Sequence, residues 1–313
     1  MLQALANSFK IPDLRKKLFI TMALISVYRI GSYIPTPGVN GGALVQFFEN
    51  VTKSQGGTLF GIMNMFSGGA LTRLTIFALG IMPYISSSII LQLLVTVVPH
   101  LEKLSKEGEA GRRTIIQYTR YGTVVLAVIQ SFFISLWLEN PARFQGLQIV
   151  DHPGWGFRIL TVITLTTGTA FIMWLGEQIQ ERGIGNGISL IITAGIISRL
   201  PTALYQVFVM VSPFAPEKSQ LSLIRVLVMA VIGIGVTIAV ILITQGQRKI
   251  PVQYAKRIIG RKVYGGQSTY IPLRVNQAGV IPIIFAQSII LFPATIAGFI
   301  PNPAFQKLAQ EFI

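Results

Sequence analysis

Seven apolar runs, each close to the length of a membrane-spanning helix, constrain this chain more than any other feature. An α-helix needs about 20 predominantly apolar residues to cross the hydrocarbon core of a bilayer. The sequence is 51% hydrophobic and 12% charged, whereas about 25% of the residues in an ordinary soluble domain are charged. It therefore predicts an all-α, polytopic membrane helix bundle with spans at Leu18–Ile34, Leu74–Val98, Ile115–Leu138, Phe157–Leu175, Ile188–Val211, Leu223–Thr244 and Val275–Ile300.

The charged residues are distributed unevenly between the two sides of such a bundle. With the N-terminus in the cytoplasm, the inner regions are residues 1–17, 99–120, 176–187 and 245–274. These regions hold 17 Lys and Arg residues against 6 Asp and Glu, and the rest of the chain holds 9 against 5. Because cytoplasmic loops are enriched in Lys and Arg, the sequence predicts a cytoplasmic N-terminus. Topology thus accounts for the net charge of +15 without a nucleic-acid partner.

Five isoleucines on three of the apolar runs form the main candidate site. Ile81 and Ile85 are four residues apart, as are Ile188 and Ile192, and the fifth is Ile284. On a helix, residues at i and i+4 lie on one face, so three helices could each present isoleucine to a common axis. Such a ring in a membrane protein forms a hydrophobic constriction.

A short apolar segment, Thr58–Arg73, lies between the first two spans. It contains Gly68-Gly69 and is too short to cross a bilayer. Irregular backbone at membrane depth is tolerated where protein or a water-filled cavity receives it, which favours a re-entrant element inside the bundle. An amphipathic helix on the outer surface is an equally good interpretation of its composition.

The second and seventh spans share a G-x-x-P-x-I pattern. Gly80, Pro83 and Ile85 recur as Gly279, Pro282 and Ile284. A proline inside a helix removes a hydrogen bond, so both spans are expected to kink. Related, interrupted helices in two halves of a chain indicate a duplicated membrane fold. With five spans in the first half and two in the second, the chain is expected to be cut short.

The segment 245–274 is the candidate partner surface, since it has seven basic residues and no acidic one. Tyrosines at positions 254, 264 and 270 lie among the basic residues, and acidic protein faces and phosphate backbones attract such surfaces. A basic loop can also be nothing more than a topology signal.

Several kinds of chemistry are disfavoured by the sequence. It has no cysteine and two histidines, which disfavours thiol nucleophiles and most zinc sites. No Asp or Glu lies in the interior of a predicted span, whereas ion-coupled carriers and intramembrane proteases need ionisable groups there. We therefore expect no enzyme activity, cofactor or metal. Arg199, toward the outer end of the fifth span, is expected to snorkel to the interface.

Five long motifs of the chain are SGGALTRLTIFALGIMPYISSSIILQLL at 67–94, EGEAGRRTIIQYTRYGT at 107–123, MWLGEQIQERGIGNGIS at 173–189, QRKIPVQYAKRIIGRKVYGGQSTYIPLRVNQAGVIP at 247–282 and SIILFPATIA at 288–297. Together they resemble the SecY family, the pore subunit of the bacterial protein translocase. The resemblance extends from about Leu14 to Ala297.

This resemblance implies a fold of two pseudo-symmetric halves, related as inverted repeats, that open like a clamshell. Residues 1–212 would form the N-terminal half, with spans 1–5 and a re-entrant plug at about 58–73. Residues 213–313 would form part of the C-terminal half, with spans 6–7 and the basic loop 245–274. Family members have ten spans, so the chain is expected to be C-terminally truncated.

The resemblance also assigns roles to residues. It implies a pore ring at the five isoleucines already singled out, and lateral-gate positions at Gln92 and Asn276. The plug would comprise Leu59, Phe60, Ile62, Met63, Asn64, Met65, Phe66, Ser67, Gly68, Gly69, Ala70, Leu71 and Thr72. The partner-binding residues would be Arg248, Lys249, Lys256, Arg257, Arg261 and Lys262.

The implied function is a channel in the bacterial inner membrane that passes unfolded secretory polypeptides and releases transmembrane segments sideways into lipid. Implied partners are the small subunits SecE and SecG, the motor ATPase SecA, the ribosome, signal sequences, nascent polypeptides and the lipid bilayer. Two alternatives are a secondary transporter of small solutes and, for the fragment alone, a non-conducting membrane scaffold. The transporter requires a polar site at the membrane midplane, which the sequence does not indicate.

Overall fold

The computed structural model describes residues 11–55, 64, 67–144, 147–211, 223–253, 257–259, 262–264 and 268–276. The expected pore residue Ile284 and the whole predicted seventh span after residue 276 lie outside this part. The chain divides into two compact units, the first containing residues 1–202 and the second residues 203–289.

Nine α-helices account for most of the described residues. They are α1 (Pro12–Gly31), α2 (Gly41–Gln55), α3 (Met82–Val97), α4 (Pro99–Lys106), α5 (Glu109–Leu138), α6 (Trp155–Arg182), α7 (Gly187–Ile197), α8 (Leu200–Val211) and α9 (Leu223–Gln245). A short 3₁₀ helix covers Pro141–Phe144. The predicted helical fold class is confirmed.

Four helical segments of the described chain are long and apolar enough to cross a membrane: Glu109–Leu138, Trp155–Arg182, Gly187–Val211 and Ile224–Gln245. The bent pair α3 and α4 forms a fifth candidate if it counts as one broken span. Helix α1 is 20 residues long, but its N-terminal turns carry Asp13, Arg15, Lys16 and Lys17, which lowers its hydropathy. The protein is therefore a multi-pass membrane protein.

The predicted helix over Leu74–Val98 is wrong at its start. The residues from Ser67 to Ile81 form turns, and α3 begins only at Met82. Pro83 lies in the first turn of α3, where a proline has no hydrogen bond to remove, so the expected kink at Pro83 is absent.

The bend in this region occurs instead at Val98, where α3 and α4 meet at 99°. Val98 has an extended backbone with φ −97° and ψ 113°. Because Pro99 follows it, the helical conformation is disfavoured at Val98. The proline after the helix, not the one predicted inside it, thus redirects the chain.

Two hydrophobic clusters form the interior of the first unit. One contains Leu44, Leu74, Leu138, Phe144 and Leu165, together with other side chains. The other is built around Tyr28, Phe77, Ile81, Ile172, Leu175, Ile179 and Ile191. Helix α6 contributes to both clusters, which makes it the central helix of this unit.

Small residues let the elements of this unit approach closely. Ser87 Oγ on α3 donates to the carbonyl oxygen of Thr119 on α5 across 2.9 Å. A methyl group on Gly168 of α6 would overlap the carbonyl oxygen of Ile76. Such close contacts between backbones are typical of packed membrane helices.

The basic segment is a β-hairpin, which the sequence analysis did not predict. Strand β1 (Gln247–Gln253) pairs antiparallel with β4 (Ser268–Arg274), from Gln247 opposite Arg274 to Gln253 opposite Ser268. Between them, β2 (Arg257–Ile259) pairs antiparallel with β3 (Lys262–Tyr264). These strands are a small addition to a helical bundle.

Candidate pore ring, plug segment and partner surface

The four described isoleucines of the predicted ring meet at one hydrophobic cluster. Ile81 is a buried member of the cluster around Phe77 and Ile172, and Ile85, Ile188 and Ile192 pack against it half-buried. They come from two segments separated by more than 100 residues of chain. The four side chains therefore pack at one cluster, and their role as a pore ring stays a prediction.

Ile81 and Ile85 remain one helical turn apart, although α3 begins between them. Ile81 is the N-cap residue of α3, and its carbonyl oxygen accepts from the Ile85 amide across 3.1 Å. Their exposures differ, because Ile81 is 4% exposed and Ile85 is half-buried. Ile81 is thus a residue of the hydrophobic core as well as a member of the candidate ring.

Helix α7 is held against α6 at two glycines. A methyl group on Gly187 would overlap the carbonyl oxygen of Gly176, and one on Gly176 would come within 3.1 Å of Ile188 Cγ1. Asn186 caps α7, since its side-chain oxygen accepts from the Ser189 amide across 3.1 Å. This close packing positions the Ile188 and Ile192 face beside the cluster. Ile191, which the sequence analysis did not select, fills the cluster itself at 2% exposure.

Within the predicted plug, the described residues are Asn64 and those from Ser67 to Thr72; the others lie outside the described residues. Gly68 and Gly69 have positive φ values of 64° and 94°, a conformation that favours glycine. The buried Asn64 organises the turn, because its carbonyl oxygen accepts from the Gly69 amide at 2.9 Å and its side-chain oxygen from the Thr72 amide at 3.2 Å.

The residue that follows the turn lies in the isoleucine cluster. Ala70 is fully buried in the same cluster as Ile81. Beyond the turn, the chain is hydrogen-bonded to the segment that follows α1. The Thr36 amide donates to the carbonyl oxygen of Leu74 at 2.9 Å, and the Ile76 amide donates to that of Ile34 at 3.0 Å. The C-terminal part of the predicted plug is therefore anchored beside the candidate ring.

The two predicted lateral-gate residues lie in different compact units. Gln92 is exposed on α3, where its Nε2 donates to Ser88 Oγ across 3.3 Å. Asn276 is half-buried and follows β4 after one intervening residue.

The predicted partner-binding residues are only partly described. Arg248 and Lys249 are exposed on β1, and Lys249 Nζ lies 4.7 Å from the ring centre of Tyr270 on the opposite strand. Arg257 lies on β2 and Lys262 on β3, whereas Lys256 and Arg261 lie outside the described residues. Because successive strand residues point to opposite faces, Arg248 and Lys249 place positive charge on both sides of the hairpin.

Three arginines meet at the Gly68–Gly69 turn, and the sequence analysis noted only Arg199. A methyl group on Gly69 would come within 2.7 Å of Arg199 Nη2, and one on Gly68 within 3.1 Å of Arg29 Nη1. Arg29 and Arg73 both lie over the ring of Tyr33, at 5.7 and 5.1 Å. No spacing rule could have found this group, since it unites three distant segments.

The fold and these sites define a class: a multi-pass helical membrane protein with apolar side chains converging beside an irregular segment. A SecY family model matches residues 75–313. The protein translocase subunit SecY of Buchnera aphidicola subsp. Acyrthosiphon kondoi is 53% identical over 287 residues, covering 92% of this chain and 78% of that protein. The chain belongs to the SecY family.

Two further relatives extend this comparison. The SecY subunit of Escherichia coli strain K12 is 52% identical over 287 residues, covering 92% of this chain. This chain spans 62% of that relative's length. A solved SecY protein, whose plug domain is described as stabilising the closed translocation channel and maintaining a membrane seal, matches the fold with a TM-score of 0.54. Its sequence identity is 19%, over 93% of this chain and 62% of that structure.

Proposed function

We propose that this chain forms part of a protein-conducting channel whose narrowest point is lined by branched aliphatic side chains. The observation that carries the proposal is the convergence of Ile81, Ile85, Ile188 and Ile192 on one cluster. Branched side chains around a narrow axis exclude water and ions. They can also yield around an extended polypeptide, because they form no fixed hydrogen bonds that its passage would break.

The segment ending at Thr72 is proposed to be the plug that blocks this path at rest. Its support is the contact of Ala70 with the isoleucine cluster and the two positive-φ glycines. A turn held by Asn64 gives the proposed plug a fixed C-terminal end beside the isoleucine cluster.

The exposed basic hairpin is proposed as the docking surface for cytoplasmic partners, namely the motor SecA and the ribosome. The proposal assumes a cytoplasmic N-terminus in the bacterial inner membrane, as the charge distribution favours. The work of translocation would come from such a partner. SecE and SecG are the proposed membrane subunits, and the gate at Gln92 and Asn276 would release apolar segments into lipid.

Ion conductance tests the proposed seal. The full-length SecY chain carrying Ile85→Gly or Ile192→Gly, reconstituted with its partner subunits in a planar bilayer, is expected to leak ions at rest. Both positions are half-buried. Their truncation therefore removes side-chain atoms from the proposed pore lining more than from the hydrophobic core. Ile163→Gly is the matched control, because Ile163 is 59% exposed on α6 and carries the same cost of a glycine in a helix. Unchanged conductance in both ring variants, or equal leakage in the control, contradicts the proposal.

A further inference from the structure

The arginine group at the Gly68–Gly69 turn lacks the negative charge that would balance it. Arg29, Arg73 and Arg199 make no ion pair within the part of the chain that the structure describes. The Arg29 and Arg199 guanidiniums both lie against the Gly68–Gly69 turn, and the Arg29 and Arg73 guanidiniums share the ring of Tyr33. Three positive charges thus share one end of the first unit.

Burial makes this arrangement costly without a partner. Arg29 Nη1 is shielded from solvent and has no hydrogen-bond partner among the described residues. Arg199 is half-buried at the break between α7 and α8. A buried guanidinium donor without an acceptor, next to like charges, is strongly unfavourable. An anion placed among the three side chains would remove both penalties.

The geometry suits an anion with several oxygens. The two glycines allow the Arg29 and Arg199 guanidiniums to lie directly against the backbone of the turn. The Arg29 and Arg73 guanidiniums both lie over the Tyr33 ring, at 5.7 and 5.1 Å from its centre. Arg73 and Tyr33 are exposed, so a ligand could reach the group from their side. Guanidinium groups bind phosphate oxygens in pairs, with fixed fork geometry.

We propose that Arg29, Arg73 and Arg199 form a binding site for a phosphate group, supplied either by an anionic lipid headgroup or by free phosphate. The three residues come from the C-terminal end of α1, the chain before α3 and the break between α7 and α8. Occupation of the site would tie these segments together at the turn that ends the candidate plug. The site is distinct from the isoleucine cluster and does not depend on the chain conducting polypeptides.

The test measures binding to the purified full-length SecY complex. In delipidated detergent solution, inorganic phosphate is titrated by calorimetry, and phosphatidylglycerol is titrated separately by native mass spectrometry. Saturable binding of phosphate alone identifies a free-anion site. Binding of the lipid, with competition by inorganic phosphate, identifies a headgroup site. Either result supports the proposal, and the absence of both overturns it.

Variants assign the binding to these residues. Arg199→Gln is expected to weaken phosphate or lipid binding at least about tenfold, because a charge-assisted pair of hydrogen bonds is lost. Arg73→Gln, at an exposed position, provides a second variant if Arg199→Gln does not fold. Arg158→Gln is the control, since Arg158 is already paired with Glu139 at 2.7 Å. An equal loss in Arg158→Gln, or full binding in both Arg199→Gln and Arg73→Gln, overturns the assignment.

Discussion

Arg120 and Glu177 connect the two longest helices, because Arg120 Nε on α5 donates to Glu177 Oε1 on α6 across 2.7 Å. The Glu177 side chain is 20% exposed and the Arg120 side chain 41% exposed, so water screens the pair in part. The pair joins α5 and α6 near one end of α6, on the side where Gly187 begins α7. It therefore helps to position the helix against which Ile188 packs.

Loss of this pair is expected to destabilise the bundle modestly. Glu177→Gln should lower the free energy of unfolding by about 1 kcal/mol, the upper part of the range for partly exposed ion pairs. Reversible denaturation in mixed micelles would measure it. Glu109→Gln is the control, since Glu109 and its partner Arg113 are both 82% exposed and 4.0 Å apart. Equal stability of the two variants would contradict a structural role for the pair.

A methyl group at Gly168 should disrupt the chain leading to the candidate ring. Gly168→Ala would drive a Cβ atom into the carbonyl oxygen of Ile76, and overpacking of this kind costs roughly 1–3 kcal/mol. We expect a lower melting temperature and less folded protein after purification. Gly156→Ala, also on α6, meets no atom within 4 Å and should leave both quantities unchanged.

Truncation to alanine should cost different amounts of stability at the two isoleucines near the start of α3. Ile81→Ala is expected to lower the free energy of unfolding by about 2–5 kcal/mol, as for buried aliphatic side chains, because Ile81 is 4% exposed. Ile85→Ala should cost clearly less, since Ile85 is half-buried. Chemical denaturation of the two variants compares them directly. A larger cost at Ile85 would show that this side chain, and not Ile81, belongs to the core.

Charge reversal on the hairpin should weaken docking of a cytoplasmic partner. Arg248→Glu with Lys249→Glu is expected to slow association of SecA roughly tenfold at low salt, because opposite charges steer encounter. Stopped-flow binding at two salt concentrations would measure this.

Lys106→Glu serves as the control for hairpin docking, since Lys106 is an exposed basic residue of α4 that already pairs with Glu102 at 2.6 Å. Circular dichroism would verify that each variant keeps its fold. An equal slowing by Lys106→Glu would point to a general effect of net charge.

Local patterns predicted the helical membrane class and singled out four isoleucines that pack at one cluster. Hydropathy alone predicted the runs ending at Leu138 and Val211, where α5 and α8 end. The two adjacent glycines indicated irregular backbone, and the structure has a turn at Gly68–Gly69. The start of α3 was not found, because the apolar residues from Leu74 to Ile81 satisfy a hydropathy criterion without being helical. Their turns are held in part by hydrogen bonds to Ile34 and Thr36, in the segment after α1.

The hairpin and the arginine group could not be read from local patterns. Gln247 pairs with Arg274. These partners are too far apart in the sequence for the residues of a tight turn to predict that the two strands pair. Arg29, Arg73 and Arg199 meet through the packing of three separate segments, and no repeat relates their positions.

The amino-acid sequence alone determined that this protein crosses a membrane several times and where most crossings lie, because the transfer free energy of a helix into lipid depends on its own residues. Tertiary structure decided which side chains meet. The convergence of Ile81 with Ile188, and of Arg29 with Arg199, follows from close approach of α6 and α7 and from the turn at Gly68–Gly69. Such contacts depend on the shapes of both partners, and neither segment specifies them by itself.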